Sequence, residues 1–251
     1  MRSTLATCVI LAACHGSSPT PLQERATPPS SASAPPARAD FEEEGPLRME
    51  TLQPVGEPPV FVMRGGAPRG NARLVFLHGM CGHGLGYAQA FQRSAARFGT
   101  LIAPQGDVSC GDVWSKWSGD IDALDRRIRE TFTTLGLGDR HEDVWIMGMS
   151  QGATRAAALA RKWPKRYTRL VSIAAPTSIA RGDLRGLAAA VLMAGERDRR
   201  DLMQASERAL KQTGVPALFL IMPGESHGAM GDSPEKTMAE ALAFLSDHGP
   251  A

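Results

Sequence analysis

Gly148-Met149-Ser150-Gln151-Gly152 puts a serine between two glycines, each two residues away, after the apolar run Val144 to Met147 and before a helical pattern that begins near Gln151. A nucleophile at a tight strand-to-helix turn needs a strained backbone. Side chains two positions to either side would collide there, so glycine is required at both. Such a turn lifts the Ser150 hydroxyl out of a sheet and sets it at a helix N-terminus, whose unpaired N–H groups and dipole favour negative charge developing on a substrate. The chemistry this suggests is attack by a serine on a carbonyl, and it requires a base to take the serine proton.

The elements that would position this serine are legible as alternating patterns. Seven apolar runs read as strands: Val60–Met63, Leu74–Leu77, Leu101–Ala103, Val144–Met147, Leu170–Ala174, Ala189–Met193 and Leu218–Met222. Several are continuously apolar, as strands buried on both faces must be. Helical patterns fall at roughly 119–135, 151–163, 202–213 and 233–246. After Ser150, Ala153, Ala156, Ala157 and Ala160 leave room for close approach to a sheet, and Pro164 stops the helix. Short strands alternating with longer helices predict an α/β fold, a mostly parallel central sheet with helices on both faces.

A G-x-S-x-G between a buried strand and a helix resembles the α/β-hydrolase superfamily, and the resemblance extends over nearly all of 74–245. It implies an α/β-hydrolase fold and a Ser, acid, His chain order. His78-Gly79, after the strand Leu74–Leu77, matches the step that opens the superfamily's oxyanion loop. By that resemblance the backbone N–H groups of Met80 and Gln151 point at the oxygen of a tetrahedral intermediate, each worth on the order of 3 kcal/mol of barrier. His78 itself reads as a structural residue of this loop.

Gly195-Glu196-Arg197-Asp198 lies where the superfamily places its acid. This makes Asp198 the candidate, with Glu196 and Asp201 as rivals in a charged loop. The loop Pro223 to Gly228 carries His227, the candidate base. Of the other histidines, His15 lies in the Pro-rich N-terminal segment, His83 in the oxyanion loop, His141 ahead of the nucleophile strand and His248 in the tail. Ser150, Asp198 and His227 thus form the implied triad, which needs neither metal nor organic cofactor.

The segment Gln105 to Trp117 follows a strand at the end where open α/β sheets bind ligands, and it is a candidate substrate wall. Trp114 and Trp117 are three apart. If the segment is helical they share a face and line an acyl pocket, the alternative being that they cap the core. Cys81 and Cys110 either pair, tying this segment to the oxyanion loop, or stay free thiols. About a dozen residues separate the runs ending near Ile173 and beginning at Ala189, so there is little or no cap domain. That compactness resembles small carboxylesterases and dienelactone hydrolases. The latter use a cysteine nucleophile where this chain has Ser150.

With 251 residues, 43% hydrophobic, and a formal charge of +2 from mixed residues, the chain reads as one catalytic domain with no call for a nucleic-acid partner. Arg2, the apolar stretch Leu5 to Ala13 and small residues before Cys14 follow the grammar of an export signal, and Leu11-Ala12-Ala13-Cys14 resembles the lipobox of bacterial lipoproteins. The resulting division is a signal peptide at 1–13, a Pro/Ser/Ala-rich tether at 14–40 anchored to membrane through lipidated Cys14, and a catalytic domain at 41–251, exported to the cell envelope. The function read from the sequence is hydrolysis of small-molecule esters with short or medium acyl chains. The alternatives are a thioesterase or small peptidase with the same triad, and a non-catalytic surface binding protein.

Overall fold

The computed structural model describes residues 46–66, 70–138 and 142–249. The signal, the tether, Cys14, His15 and His141 lie outside them. The strands are β1 (Arg48–Leu52), β2 (Val60–Arg64), β3 (Ala72–Leu77), β4 (Gly99–Pro104), β5 (Val108–Gly111), β6 (Trp114–Lys116), β7 (Val144–Met149), β8 (Tyr167–Ile173), β9 (Ala189–Gly195) and β10 (Ala217–Met222). The helices are α1 (Gly84–Gln89), α2 (Gln92–Phe98), α3 (Ile121–Thr134), α4 (Gln151–Lys162), α5 (Arg200–Lys211) and α6 (Pro234–Asp247). No described helix is long and apolar enough to cross a membrane.

All seven apolar runs fall in one 8-stranded sheet of order β1-β2-β4-β3-β7-β8-β9-β10. From β4 to β10 the neighbours are parallel, and β2 is antiparallel to both β4 and β1. Alternate residues of the runs serve opposite faces. Val75, Leu77, Ile146, Leu170 and Leu192 pack with Ile128, Leu159 and Met203 of α3, α4 and α5. Leu74, Phe76, Met147, Val171 and Val191 pack with Phe91 and Ala95 beside α1 and in α2, and with Leu242 of α6. Burying each of these large side chains contributes about 1.5–3 kcal/mol, which is why runs with no polar alternation sit at the centre of a two-faced sheet.

To the seven strands expected in the sheet the structure adds an eighth, β1. β1 is exposed along nearly its whole length and has no apolar run to mark it. It also corrects one expectation. Residues 108–116 are not helical but form the two-stranded hairpin β5–β6, so Trp114 and Trp117 do not share a helix face. Trp114 is 49% exposed, whereas Trp117 is 4% exposed and packs in the core. Between β8 and β9, residues 174–188 contain neither helix nor strand, and no cap is inserted there.

Candidate functional site

β7 delivers Ser150 and α4 begins at the next residue, so the chain reverses at the serine itself, with φ 51° and ψ −115°. This left-handed value is rare for a residue with a side chain. The Ser150 N–H donates to Ile173 O at 2.8 Å, anchoring the turn to β8. The two glycines are demanded by contact. A Cβ on Gly148 would come 2.3 Å from Gly152 O, and one on Gly152 would come 2.0 Å from Leu77 O. Neither position has room for even a methyl group, which is the collision the motif's spacing implied.

The acid and histidine loops follow β9 and β10, neighbouring strands of the sheet. His227 Nε2 lies 3.0 Å from Ser150 Oγ, and its Nδ1 lies 2.9 Å from Asp198 Oδ2. A carboxylate can only accept, so Nδ1 carries the proton and Nε2 is free to accept from the serine hydroxyl. Asp198 is held by its own turn, with Oδ1 accepting the Arg199 N–H at 2.7 Å. Its side chain is 10% exposed and that of His227 52%. The rival carboxylates are engaged elsewhere: Glu196 Oε2 accepts the Gly224 N–H at 3.0 Å, and Asp201 pairs with Arg199 at 3.0 Å. That pairing holds the Asp201 carboxyl below its usual range. The two loops are knitted together by the Glu196 N–H to Met222 O (3.0 Å) and the Arg197 N–H to Glu225 O (2.7 Å).

The segment from His78 to Gly84 runs across the serine. A Cβ on Gly79 would lie 3.6 Å from Ser150 Cβ. His78 is fully buried. Its Nε2 accepts the Gly106 N–H at 2.9 Å, so the ring proton is on Nδ1, which donates to Gly79 O at 2.7 Å. Burial lowers the pKa of His78 to about 4, keeping the ring neutral; the hydrogen bond to Gly79 partly opposes this, and the charges of His83 and Arg127 add to it. Gly79 O also accepts the Gly82 N–H at 3.1 Å. The N–H of the same peptide, that of Met80, points the opposite way because a trans peptide holds C=O and N–H antiparallel. Among the described residues neither the Met80 N–H nor the Gln151 N–H has a hydrogen-bond partner.

Trp117 donates its Nε1–H to His78 O at 2.8 Å, so it braces this segment from the core. Trp114, beside His83 with ring centroids 6.1 Å apart, and Met80, 64% exposed, remain at the surface. A cavity of about 180 Å³, walled by Trp117, Asp107, Asp120, Arg127 and Arg155 among others, has none of Ser150, Asp198 or His227 in its lining. Sequence reasoning named Gln105, the buried residue after β4, only as the start of the candidate substrate wall and gave its side chain no role. Its side chain bonds to Gly84 and Gly82 on one side and to Val113 and Ser115 on the other. A lone glutamine at a strand end carries no pattern that would single it out.

No family model matches the chain. No curated protein matches it either. Solved structures do. A ferulic acid esterase aligns with TM-score 0.61 and 13% identity over 81% of this chain and 98% of its own. An arylesterase aligns with TM-score 0.60 and 17% identity over 82% and 86%. Serine hydrolase F of Staphylococcus aureus, described as fluorophosphonate-binding, aligns with TM-score 0.56 and 13% identity over 80% and 98%. With its mostly parallel sheet and helices on both faces, the chain has the α/β-hydrolase fold.

Proposed function

We propose that this chain is a serine hydrolase that cleaves carboxylic esters of short or medium acyl chains through an acyl-enzyme. The observation that carries the reading is the continuous relay from Ser150 Oγ through His227 to Asp198 at 3.0 and 2.9 Å, with two unengaged N–H groups beside it. His227 Nε2 takes the Ser150 proton as Oγ bonds to the ester carbonyl carbon. The carbonyl oxygen becomes an oxyanion facing the Met80 and Gln151 N–H groups. Asp198 stabilises the imidazolium without taking its proton. The alcohol leaves with the proton from Nε2. Water then gives a proton to Nε2, attacks the acyl carbon, and the acid is released as Ser150 regains its proton.

The names of the fold neighbours, among them a ferulic acid esterase and an arylesterase, support an ester substrate. Absence of an inserted cap between β8 and β9 supports small, freely diffusing esters. We further propose that the chain works outside the cytoplasm, tethered through Cys14. The Cys81–Cys110 disulfide supports this, because such bridges persist in oxidising compartments.

The test is turnover of a p-nitrophenyl ester series, with matched thioesters and p-nitroanilides, by wild type and Ser150→Ala. Ester turnover should exceed that of the anilides and fall about 10⁴- to 10⁶-fold in Ser150→Ala. A folded wild type that turns over none of these, and that a serine-directed phosphonate leaves unlabelled at Ser150, would transfer the assignment to a non-catalytic binding scaffold.

A further inference from the structure

The two unengaged N–H groups come from different parts of the sheet, Met80 after β3 and Gln151 after β7, yet both are fastened to the β5–β6 hairpin. On the Met80 side, Gly82 and Ser115 exchange N–H···O bonds at 3.0 and 3.1 Å. Cys81, the residue after Met80 and itself at φ 48°, is joined to Cys110 by a disulfide. Cys110 sits where the hairpin register slips between Ser109 and Gly111, and such a bulge re-aims a side chain. On the Gln151 side, its Oε1 accepts the Trp117 N–H at 3.1 Å and its Nε2 donates to Trp117 O at 3.3 Å, one residue beyond β6.

Gln105 closes the frame from below. It is 6% exposed, and its Oε1 accepts the Gly84 N–H at 2.8 Å. Its Nε2 faces Gly82 O at 3.1 Å, Val113 O at 3.0 Å and Ser115 Oγ at 2.7 Å. Through these bonds Gln105 ties the oxyanion segment, at Gly82 and Gly84, to the hairpin, at Val113 and Ser115, and none is made to Ser150, His227 or Asp198. Buried amides with all their partners in place fix geometry, because losing one partner leaves a desolvated group unpaired.

We propose that the hairpin is the frame of the oxyanion hole, with Gln105 and the Cys81–Cys110 bridge as positioning groups that keep the Met80 N–H aimed at Ser150, so that opening the bridge lowers kcat. The proposal rests on the serine-hydrolase reading and adds a redox dependence to it. Opening requires a reductant of the dithiol class. Its thiolate attacks one sulfur, the S–S bond breaks, Cys81 and Cys110 each gain a proton as thiols, and the dithiol closes to its own disulfide.

The experiment follows p-nitrophenyl ester kinetics and inhibition by a trifluoromethyl ketone, whose serine adduct bears an oxyanion. It uses wild type before and after dithiothreitol, Cys81→Ser/Cys110→Ser, and Gln105→Glu, which keeps the size and the acceptor but removes the donor. Reduction and Gln105→Glu should each lower kcat about tenfold to a hundredfold and weaken ketone binding by the same factor, with KM within about twofold. Reoxidation should restore wild type, and the double serine variant should ignore dithiothreitol. If Gln105→Glu does not fold, the reduction arm decides. An active wild type whose kcat and ketone affinity survive reduction, verified by two titratable thiols, overturns the frame while leaving the hydrolase reading intact. A wild type with no ester turnover overturns both.

Discussion

The site has two halves that are held in different ways. The relay half places Ser150, Asp198 and His227 on three loops, each directly following its own strand, β7, β9 and β10. Each loop has glycines within a few positions of its candidate residue, Gly148 and Gly152 around the serine, Gly195 before Asp198, and Gly224 and Gly228 around His227, and each packs against a neighbouring strand or loop, as where a Cβ on Gly195 would meet Glu225 O at 2.6 Å. The proposed oxyanion half has local bonds from His78 and Gly82 to Gly79 O, but its remaining ties are long-range. Its segment keeps its shape through bonds to residues some 20 to 40 positions away, namely Gln105, Gly106, Cys110, Ser115 and Trp117. The serine turn therefore rests largely on glycines written beside it in a strand–helix context, whereas the proposed oxyanion geometry rests mainly on long-range tertiary bonds. The first should tolerate distant change, and the second should report it.

The largest effect expected belongs to the relay. Asp198→Asn should lower kcat about 10⁴-fold by allowing the wrong imidazole tautomer. Glu196→Gln and Asp201→Asn, whose carboxylates serve Gly224 and Arg199, should leave most of the activity. Steady-state kinetics on one ester decides, and equal losses in all three would dissolve the local logic of that turn.

Next comes the stability of the other half. A bridge across a sequence separation of 29 constrains the unfolded chain, so Cys81→Ser/Cys110→Ser should lose about 3–4 kcal/mol in urea unfolding, compared with the oxidised wild type. A loss near zero would mean the hairpin needs no staple.

His78 gives the third effect. Its folded-state pKa of about 4 lies below the ordinary 6.5, so the unfolded chain binds the extra proton first as pH falls. The stabilisation is full above about pH 6.5 and is withdrawn between there and pH 4, up to about 3 kcal/mol. His78→Gln should flatten that portion of the stability–pH curve. An unchanged slope would place the titration elsewhere.

The smallest effect lies where the halves meet. Tyr87 of α1 donates its hydroxyl to Gly228 O at 2.7 Å, joining the helix after the oxyanion segment to the His227 loop. Tyr87→Phe should cost about 1 kcal/mol of stability and only a few-fold in kcat.

This difference also explains what could be read from the chain. The six interior strands were legible because both faces are buried, β10 at the sheet edge because its run Leu218 to Met222 is apolar although Ile221 is exposed, and the serine turn because sterics write its glycines into five adjacent letters. β1 was not, since Arg48-Met49-Glu50-Thr51-Leu52 lies exposed at the sheet edge and needs no apolar pattern. α1 and α2, of 6 and 7 residues, have no side-chain caps to announce them. The hairpin was mistaken for a possible helix because Val108-Ser109-Cys110-Gly111 and Trp114-Ser115-Lys116 are too short and polar for periodicity. Gln105, the disulfide and the bridge from Gly82 to Ser115 supply its order from outside. Of the two roles its spacing left open, Trp117 packs in the core. The oxyanion segment could be located by its His-Gly step, but its clamps had no local signature.

The bare connection at 174–188 has a kinetic consequence. Ile179, Leu184 and Leu187 pack it down onto the core, and Ile179 N–H is bonded to Ser206 Oγ at 2.9 Å. An enzyme whose lid closes over each substrate spends part of every cycle on that motion, and its turnover often waits on reopening. Here the strand-to-strand crossing is short and pinned. Solvent viscosity should therefore leave maximal turnover untouched, progress curves should start without a lag, and selectivity for the departing alcohol should be slight, because this crossing supplies no closing wall to measure it.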